Sequence, residues 1–291
     1  MRRKPLETPL GTPLQTHTEA PEFTADAQRR EEERNDPLFV NSLGKGLAVL
    51  QAFGSDWDAL GLREIAQRTG LNTSAAQRFT HTLTQLGYLK KDEKTRRYRL
   101  GPRMLNFAYS YLRANPLYDV AIPIVISVRD EWQETVNVSV MDDTDAVVAI
   151  RMPSQRRINS NTAIGRRMPA FCVSTGRAML AWLPPEERAA ILDRTDFVRL
   201  TSHTITDRAA LEAELDRIRQ DGFAGVEEEA DLGELAVAAP ILDGDRKPIA
   251  ALGITTSTAY WTMDDAREKL SPIVQQAATA ISRSLQGWHG F

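Results

Sequence analysis

Residues 62–88, LREIAQRTGLNTSAAQRFTHTLTQLGY, constrain the fold more tightly than any other stretch of the chain. Two apolar-periodic segments, each too short to be stable alone, are joined by TGLNTS, so each must bury its stripe against the other and against a further element. In the first, Leu62, Ile65, Ala66 and Thr69 share one face and Gly70 ends the helix. In the second, Asn72 or Thr73 caps a helix whose inner row is Ala76, Phe79, Leu83 and Leu86. The preceding NSLGKGLAVLQAF supplies the further element, with Ser42 as its cap and Leu43, Leu47 and Leu50 on one face. After Gly87, YLKKDEKTRRYRL reads as two short strands around an Asp-Glu-Lys-Thr turn. Three helices and a basic hairpin make a winged helix-turn-helix over residues 40–101.

With that inner row assigned, helical periodicity turns Thr73, Ser74, Gln77, Arg78 and His81 outward. An α-helix fits the major groove of double-stranded DNA, where Arg pairs with guanine and Gln with adenine. Lys90, Lys91, Lys94, Arg96, Arg97 and Arg99 on the hairpin suit phosphates or the minor groove. His81 fits a groove rim as well as a base edge. The charge is divided in the same way: residues 40–103 hold eleven Lys or Arg and five Asp or Glu, a net +6, within a chain whose total is -3. A basic module joined to an acidic remainder points to an anionic polymer as the partner of the first. Polar residues on a helix are also simply solvated, and winged helices serve protein contacts too.

The rest of the chain reads as an arm, a linker and a second domain. Residues 1–38, rich in Pro, Thr, Glu and Arg, cannot bury enough apolar surface to offset their ordering entropy and read as a disordered arm. GPRMLNFAYSYLRAN carries Leu105, Phe107, Ala108, Tyr111 and Leu112, an apolar face too broad for an exposed helix; residues 102–115 are a linker that packs on a partner copy or on its own chain. Residues 116–289 alternate helices with strands: TVNVSVMDDTDAVVAIRMP is a hairpin around an acidic turn, Ser174 caps the helix STGRAMLAWL, and FAGVEEE, ELAVAAPILD and KPIAALGITT are strands. The fold class is α+β, and helices flanking a mostly antiparallel sheet are suited to holding a small molecule.

The chemistry-bearing residues exclude several classes. No apolar run is long enough to span a bilayer and the amino terminus lacks a signal core, which predicts a cytoplasmic protein. The single Cys172 cannot form an intramolecular disulfide, and the four histidines have no metal-ligand spacing, so neither a metal nor a cofactor is expected. As an enzyme the chain offers only the carboxylates of DGDRKP and EEEADLGE and Cys172 near Ser174, with no histidine motif and no phosphate loop beside them. Catalysis is not expected.

NSLGKGLAVLQAF, LREIAQRTGLNTSAAQRFTHTLTQLGYL, YRLGPRMLNFAYSYL, IGRRMPAFCVSTGRAMLAWLP and LGELAVAAPILDGDRKPIAALGIT, in order over residues 40–288, closely resemble the IclR family of bacterial transcription regulators. The resemblance implies a winged helix-turn-helix, a dimerising linker helix and a GAF-like α/β effector domain. It implies a homodimer or dimer of dimers on operator DNA, with RNA polymerase as a further candidate partner, and control by a small organic acid. NSLGKGLAVL and RINSNTAIGRRMPA resemble most the branch that controls aromatic acid catabolism, whose effectors are of the protocatechuate or hydroxybenzoate kind. Carried over by position, the effector site takes Ser174, Thr175, Glu234, Ala236, Gly253 and Thr255. Some relatives have Cys where Ala236 stands and Ser where Gly253 stands, which leaves more room here. Arg151, Arg166 and Arg167 are the candidate cations for a carboxylate. A regulator of a non-aromatic keto acid pathway and a DNA-binding protein that only oligomerises are the alternatives.

Overall fold

The computed structural model describes residues 36–54, 59–154 and 163–285. The expected amino-terminal arm lies outside these apart from residues 36–38, as does part of RINSNTAIGRRMPA. The first module is α1 (Asn41–Gln51), α2 (Leu62–Thr69), α3 (Thr73–Gln85), β1 (Leu89–Lys91) and β2 (Tyr98–Leu100). Its core is Val49, Leu60, Ile65, Leu83, Leu89 and Tyr98, side chains whose full burial stabilises by roughly 1.5–3 kcal/mol each.

Two details depart from the helical spacing. In α1, Leu43 and Leu47 are exposed and Val49 is buried. The inner face runs through Gly46, Val49 and Leu50, because a Cβ on Gly46 would already touch the Phe79 ring at 3.8 Å; the helix packs there through its thinnest surface. Ser42 lies inside the helix and does not cap it. In α3, Thr80 takes the inner place expected of Leu86, satisfying its hydroxyl on Ala76 O at 2.9 Å. Leu86 is left exposed where Gly87, at φ 79°, turns the chain into the wing. The remaining signals act as read: Asn72 accepts the Ala75 N–H at 2.8 Å, and Gly70 closes α2 at φ 65°.

Next come α4 (Met104–Ala114) and α5 (Pro116–Trp132), separated by Asn115, which caps α5 by accepting the Leu117 N–H at 2.9 Å. No residue of α4 is buried. Phe107 stacks on Tyr88 and Tyr111 meets Tyr118 edge-on.

The second domain is built on β3 (Thr135–Asp142), β4 (Asp145–Met152), β5 (Arg167–Pro169), β6 (Ala224–Glu227), β7 (Glu234–Leu242) and β8 (Pro248–Ser257). They form one sheet, β5-β4-β3-β8-β7-β6, with every neighbouring pair antiparallel. Side-chain alternation gives the sheet two buried faces. On one face, Val136, Val138, Leu235, Val237, Leu252 and Ile254 pack against α5 and against α9 (Ser271–Ser284); a short turn at Met263–Asp265 and a π-helical turn at Ala266–Leu270 precede α9. The other face is covered by α6 (Ser174–Leu180) and, behind it, α8 (Arg208–Asp221), with α7 (Pro185–Arg194) alongside. Ala238, Ala251 and Gly253 keep this face low enough for α6 to approach. No helix of the described residues is long and apolar enough to cross a membrane.

Candidate nucleic-acid interface and ligand pocket

The outward row of α3 and the wing meet in a surface groove lined by Ser74, Gln77, Arg78, His81, Thr84, Lys91 and Tyr98. Lys91 lies over the Tyr98 ring, its nitrogen 5.6 Å from the ring centre, which fixes its stem on the wing. Thr73 is exposed at the first turn of α3, and Lys90, Lys94 and Arg99 are exposed on the wing. Arg96 sits at the wing tip in the left-handed region, φ 59°, beside Glu93 at 3.5 Å. This exposed pair contributes little and leaves the guanidinium accessible.

Arg97 is placed differently from its neighbours. It donates to Ala59 O at 2.9 Å and to Glu64 Oε2 at 2.9 Å, tying the wing to the start of α2. Glu64 in turn accepts the Gly61 N–H, and that bond together with the Arg97 guanidinium holds its carboxyl below the usual carboxylate range. Leu60 pairs with Tyr98 beside it, extending the wing by one backbone bridge. Arg97 therefore positions the wing, whereas Arg96 and Lys94 face outward.

The pocket lies on the α6 face of the sheet. Its floor is Asn137 and Ser139 from β3, Ala146 and Val148 from β4, Glu234 and Ala236 from β7, and Thr255 from β8. Its walls are Arg166, Met168, Cys172–Thr175 and Glu228–Asp231. The cavity volume is about 60 Å³, on a scale where one water needs roughly 10–15 Å³. That space is several times what a single solvent molecule needs.

A polar row crosses the floor at one end of the sheet. Arg151 donates to Asn137 Oδ1 at 3.2 Å, and Asn137 donates to Thr255 Oγ1 at 3.2 Å. Burial lowers the Arg151 pKa. Burial also pushes the Glu234 carboxyl up to about 7, an effect that Asp231 reinforces and that Arg166 and Arg151 oppose. Arg166 pairs with Asp231 at 3.3 Å across the rim.

Of the residues expected in an effector site, Ser174, Thr175, Glu234, Ala236, Thr255 and Arg166 line the cavity. Ser174 begins α6 without capping it. Gly253 lies behind the wall: a Cβ there would stand 2.9 Å from Thr175 Cγ2 and 3.3 Å from Ala238 Cβ. The absent side chain thus lets α6 settle onto the sheet rather than enlarging the pocket. Arg151 reaches the site through Asn137, and Arg167 is turned to the sheet edge, where it binds Asp145 at 2.9 Å and Asp142. Cys172 is a buried wall whose thiol is pushed up to about 12 by its burial, which keeps it protonated and excludes it as a nucleophile at neutral pH.

Sequence reasoning overlooked two things. Asn137 and Ser139 follow directly from the alternation in TVNVSV once the opposite face is known to be core. Arg177, in the middle of α6, is buried and forms a two-pronged pair with Glu229, both bonds 2.6 Å, while its Nε donates to Phe171 O. Glu229 also accepts the Ile205 N–H at 2.8 Å, so one buried pair ties α6, the turn before it, the Glu228–Asp231 rim loop and the loop at Ile205 together. The lone charged residue within STGRAMLAWL was the available signal.

A winged helix-turn-helix followed by a sheet domain with a small internal pocket defines a class of DNA-binding transcription regulators. Residues 42–93 match the IclR helix-turn-helix domain, and residues 109–283 match the Bacterial transcriptional regulator IclR C-terminal domain. The Pca regulon regulatory protein of Pseudomonas putida is 30% identical over 284 residues, covering 97% of each chain. A crystal structure of a transcriptional regulator from Rhodococcus sp. RHA1 is similar at 35% identity and a TM-score of 0.74, covering 85% of this chain and 98% of that one. The inducer-binding domain of a double mutant of the PobR transcription factor from Acinetobacter, in complex with 3-hydroxybenzoic acid, is 27% identical with a TM-score of 0.53, covering 56% of this chain and 96% of that domain. The chain belongs to the IclR family of bacterial transcriptional regulators.

Proposed function

We propose that this regulator binds a two-fold operator as a homodimer and that a small aromatic carboxylic acid in the pocket sets its operator affinity. The observation that carries the reading is the pocket itself, lined by the apolar Val148, Met168, Val226 and Ala230 together with hydroxyls, an amide and an arginine. The similar Acinetobacter domain with 3-hydroxybenzoic acid supports the ligand class. Ligand control is a coupling free energy, typically 1–3 kcal/mol or about 5–150-fold in affinity. Titrating benzoate and hydroxybenzoates into an anisotropy assay on the chain's own upstream DNA should move the isotherm by an amount in that range. Superimposable isotherms with every acid would rule the coupling out.

The dimer part of this reading rests on α4. Leu105, Tyr109 and Leu112 recur at helical spacing and remain 68%, 65% and 37% exposed, while Phe107 and Tyr111 on the neighbouring side are occupied by Tyr88 and Tyr118. An open apolar stripe of this kind suits a second copy of the same helix about a two-fold axis. Sedimentation should give a dimer for the full chain and a folded monomer for Leu105→Glu; a monomeric parent contradicts the assignment.

A further inference from the structure

The linker helix α4 has two apolar rows. Leu105, Tyr109 and Leu112 form the open stripe described above, while Phe107 and Tyr111, at i and i+4, form a second row on another face. Each member of the second row meets an aromatic ring of a different domain. Phe107 stacks on Tyr88, with ring centres 5.6 Å apart and planes inclined by 20°. Tyr111 meets Tyr118 edge-on at 6.1 Å, with the planes inclined by 76°. Such pairs hold preferred geometries and contribute beyond the area they bury. Because no residue of α4 is buried, these two contacts and the ends of the helix set its orientation in the chain.

Each contact sits where its domain is stiff. Tyr88 is the residue before β1, at the root of the wing, and its carbonyl accepts the Gly101 N–H at 2.6 Å. A Cβ on Gly101 would stand 2.2 Å from Gly87 O, so the linker leaves the wing root in close backbone contact. Arg103 Nη1 donates to Leu86 O at the end of α3. At the other end, Tyr118 is buried in the core that α5 shares with the sheet, together with Leu117, Ala121, Val136 and Val138. Val136 and Val138 alternate along β3 with Asn137 and Ser139, which line the pocket on the opposite face. A shift of β3 on ligand binding thus reaches Tyr118 through packed side chains, which are too dense to absorb it.

We propose that Phe107 and Tyr111 are the positioning residues that join the pocket to the DNA-reading surface: Tyr111 takes up displacement of α5 through Tyr118, and Phe107 passes it to the root of the wing through Tyr88. The proposal rests on the ligand-control reading given above and adds the contacts that carry it. The two side chains stand four residues apart, about 6 Å along one helix at 1.5 Å per residue, so a tilt or roll of α4 moves both together. The contacts act in series. Breaking either interrupts the route and breaking both costs no more than breaking one, whereas independent supports would add their effects.

The test is operator anisotropy with the full chain and its own upstream DNA, with and without 3-hydroxybenzoate or 4-hydroxybenzoate, beside calorimetry of the same acids on the DNA-free protein. In Phe107→Ala and in Tyr111→Ala the acid-induced change in operator affinity should shrink by about 2–13-fold, the equivalent of one aromatic pair. The double variant should match the more affected single one. Acid affinity without DNA and operator affinity without acid should stay near the parent's, and sedimentation should show the parent's oligomeric state throughout. Phe107→Tyr and Tyr111→Phe, which keep the rings, should restore the parent's response. A full-sized response in either alanine variant, additive losses in the double variant, or a change of oligomeric state removes the role given to these two residues and leaves ligand control intact. A parent that responds to neither acid overturns both.

Discussion

Arg177→Met is expected to destabilise the C-terminal domain by about 3–5 kcal/mol, the range seen when one member of a buried ion pair is removed. The methionine fills most of the volume, so the loss comes from what is left behind. Glu229 stays buried with no cation, and Phe171 O loses the Nε–H at 2.6 Å. Because Glu229 also accepts the Ile205 N–H and its backbone carbonyl accepts the Thr204 hydroxyl, the disturbance spreads to the Thr204–Ile205 loop and to the rim loop that carries Glu229. The double variant Arg177→Met/Glu229→Leu should recover most of the loss, since replacing both charges with apolar groups of similar volume is often neutral. Urea unfolding followed by circular dichroism reads both quantities. A single variant within about 1 kcal/mol of the parent, the net worth of an ordinary hydrogen bond, would mean that solvent reaches the pair.

Arg78→Ala is expected to lower affinity for the operator by about 5–150-fold, corresponding to about 1–3 kcal/mol for a bidentate base contact, while leaving nonspecific binding nearly unchanged. The side chain projects into the groove between α3 and the wing, where its fork can reach a base edge. Arg96→Ala differs in kind: the exposed guanidinium at the wing tip suits phosphate, so its loss weakens binding to all duplexes and lowers the salt slope by about one. Arg97→Ala provides a third outcome, because its loss unties the wing from α2 and lowers the stability of the first module rather than its salt slope. Anisotropy titrations at several salt concentrations, with operator and scrambled DNA, separate the three. Equal loss on both duplexes for Arg78→Ala would take that residue off the reading face.

Much of this was legible in the chain because it depends on local physics. Gly70, Asn72 and Gly87 end and begin elements through their own backbone and side-chain preferences, and alternation in TVNVSV and ELAVAAPIL assigns each residue to one face of a sheet. Periodicity was less dependable in α1, where three leucines suggested one face and glycine decided another. A helix packs where its partner can approach, and only the position of Phe79 shows that Gly46 is that place.

The sequence alone determined the two modules, their order and the outward row Ser74–Gln77–Arg78–His81, since these follow from spacing within single elements, whereas the pocket residues of β7 and α6 came from the family resemblance and not from spacing. Only the tertiary structure decided which arginines are available. Arg97, Arg151, Arg166 and Arg167 look like Arg96 as letters, yet each was assigned by the backbone carbonyl, side-chain amide or carboxylate oxygen that folding brought within hydrogen-bond reach, whereas Arg96 was left exposed at the wing tip. Charge is a property of a residue, but pairing is a property of distance, and distances between segments far apart in the chain are fixed only when the sheet, its helices and their loops have closed around one another.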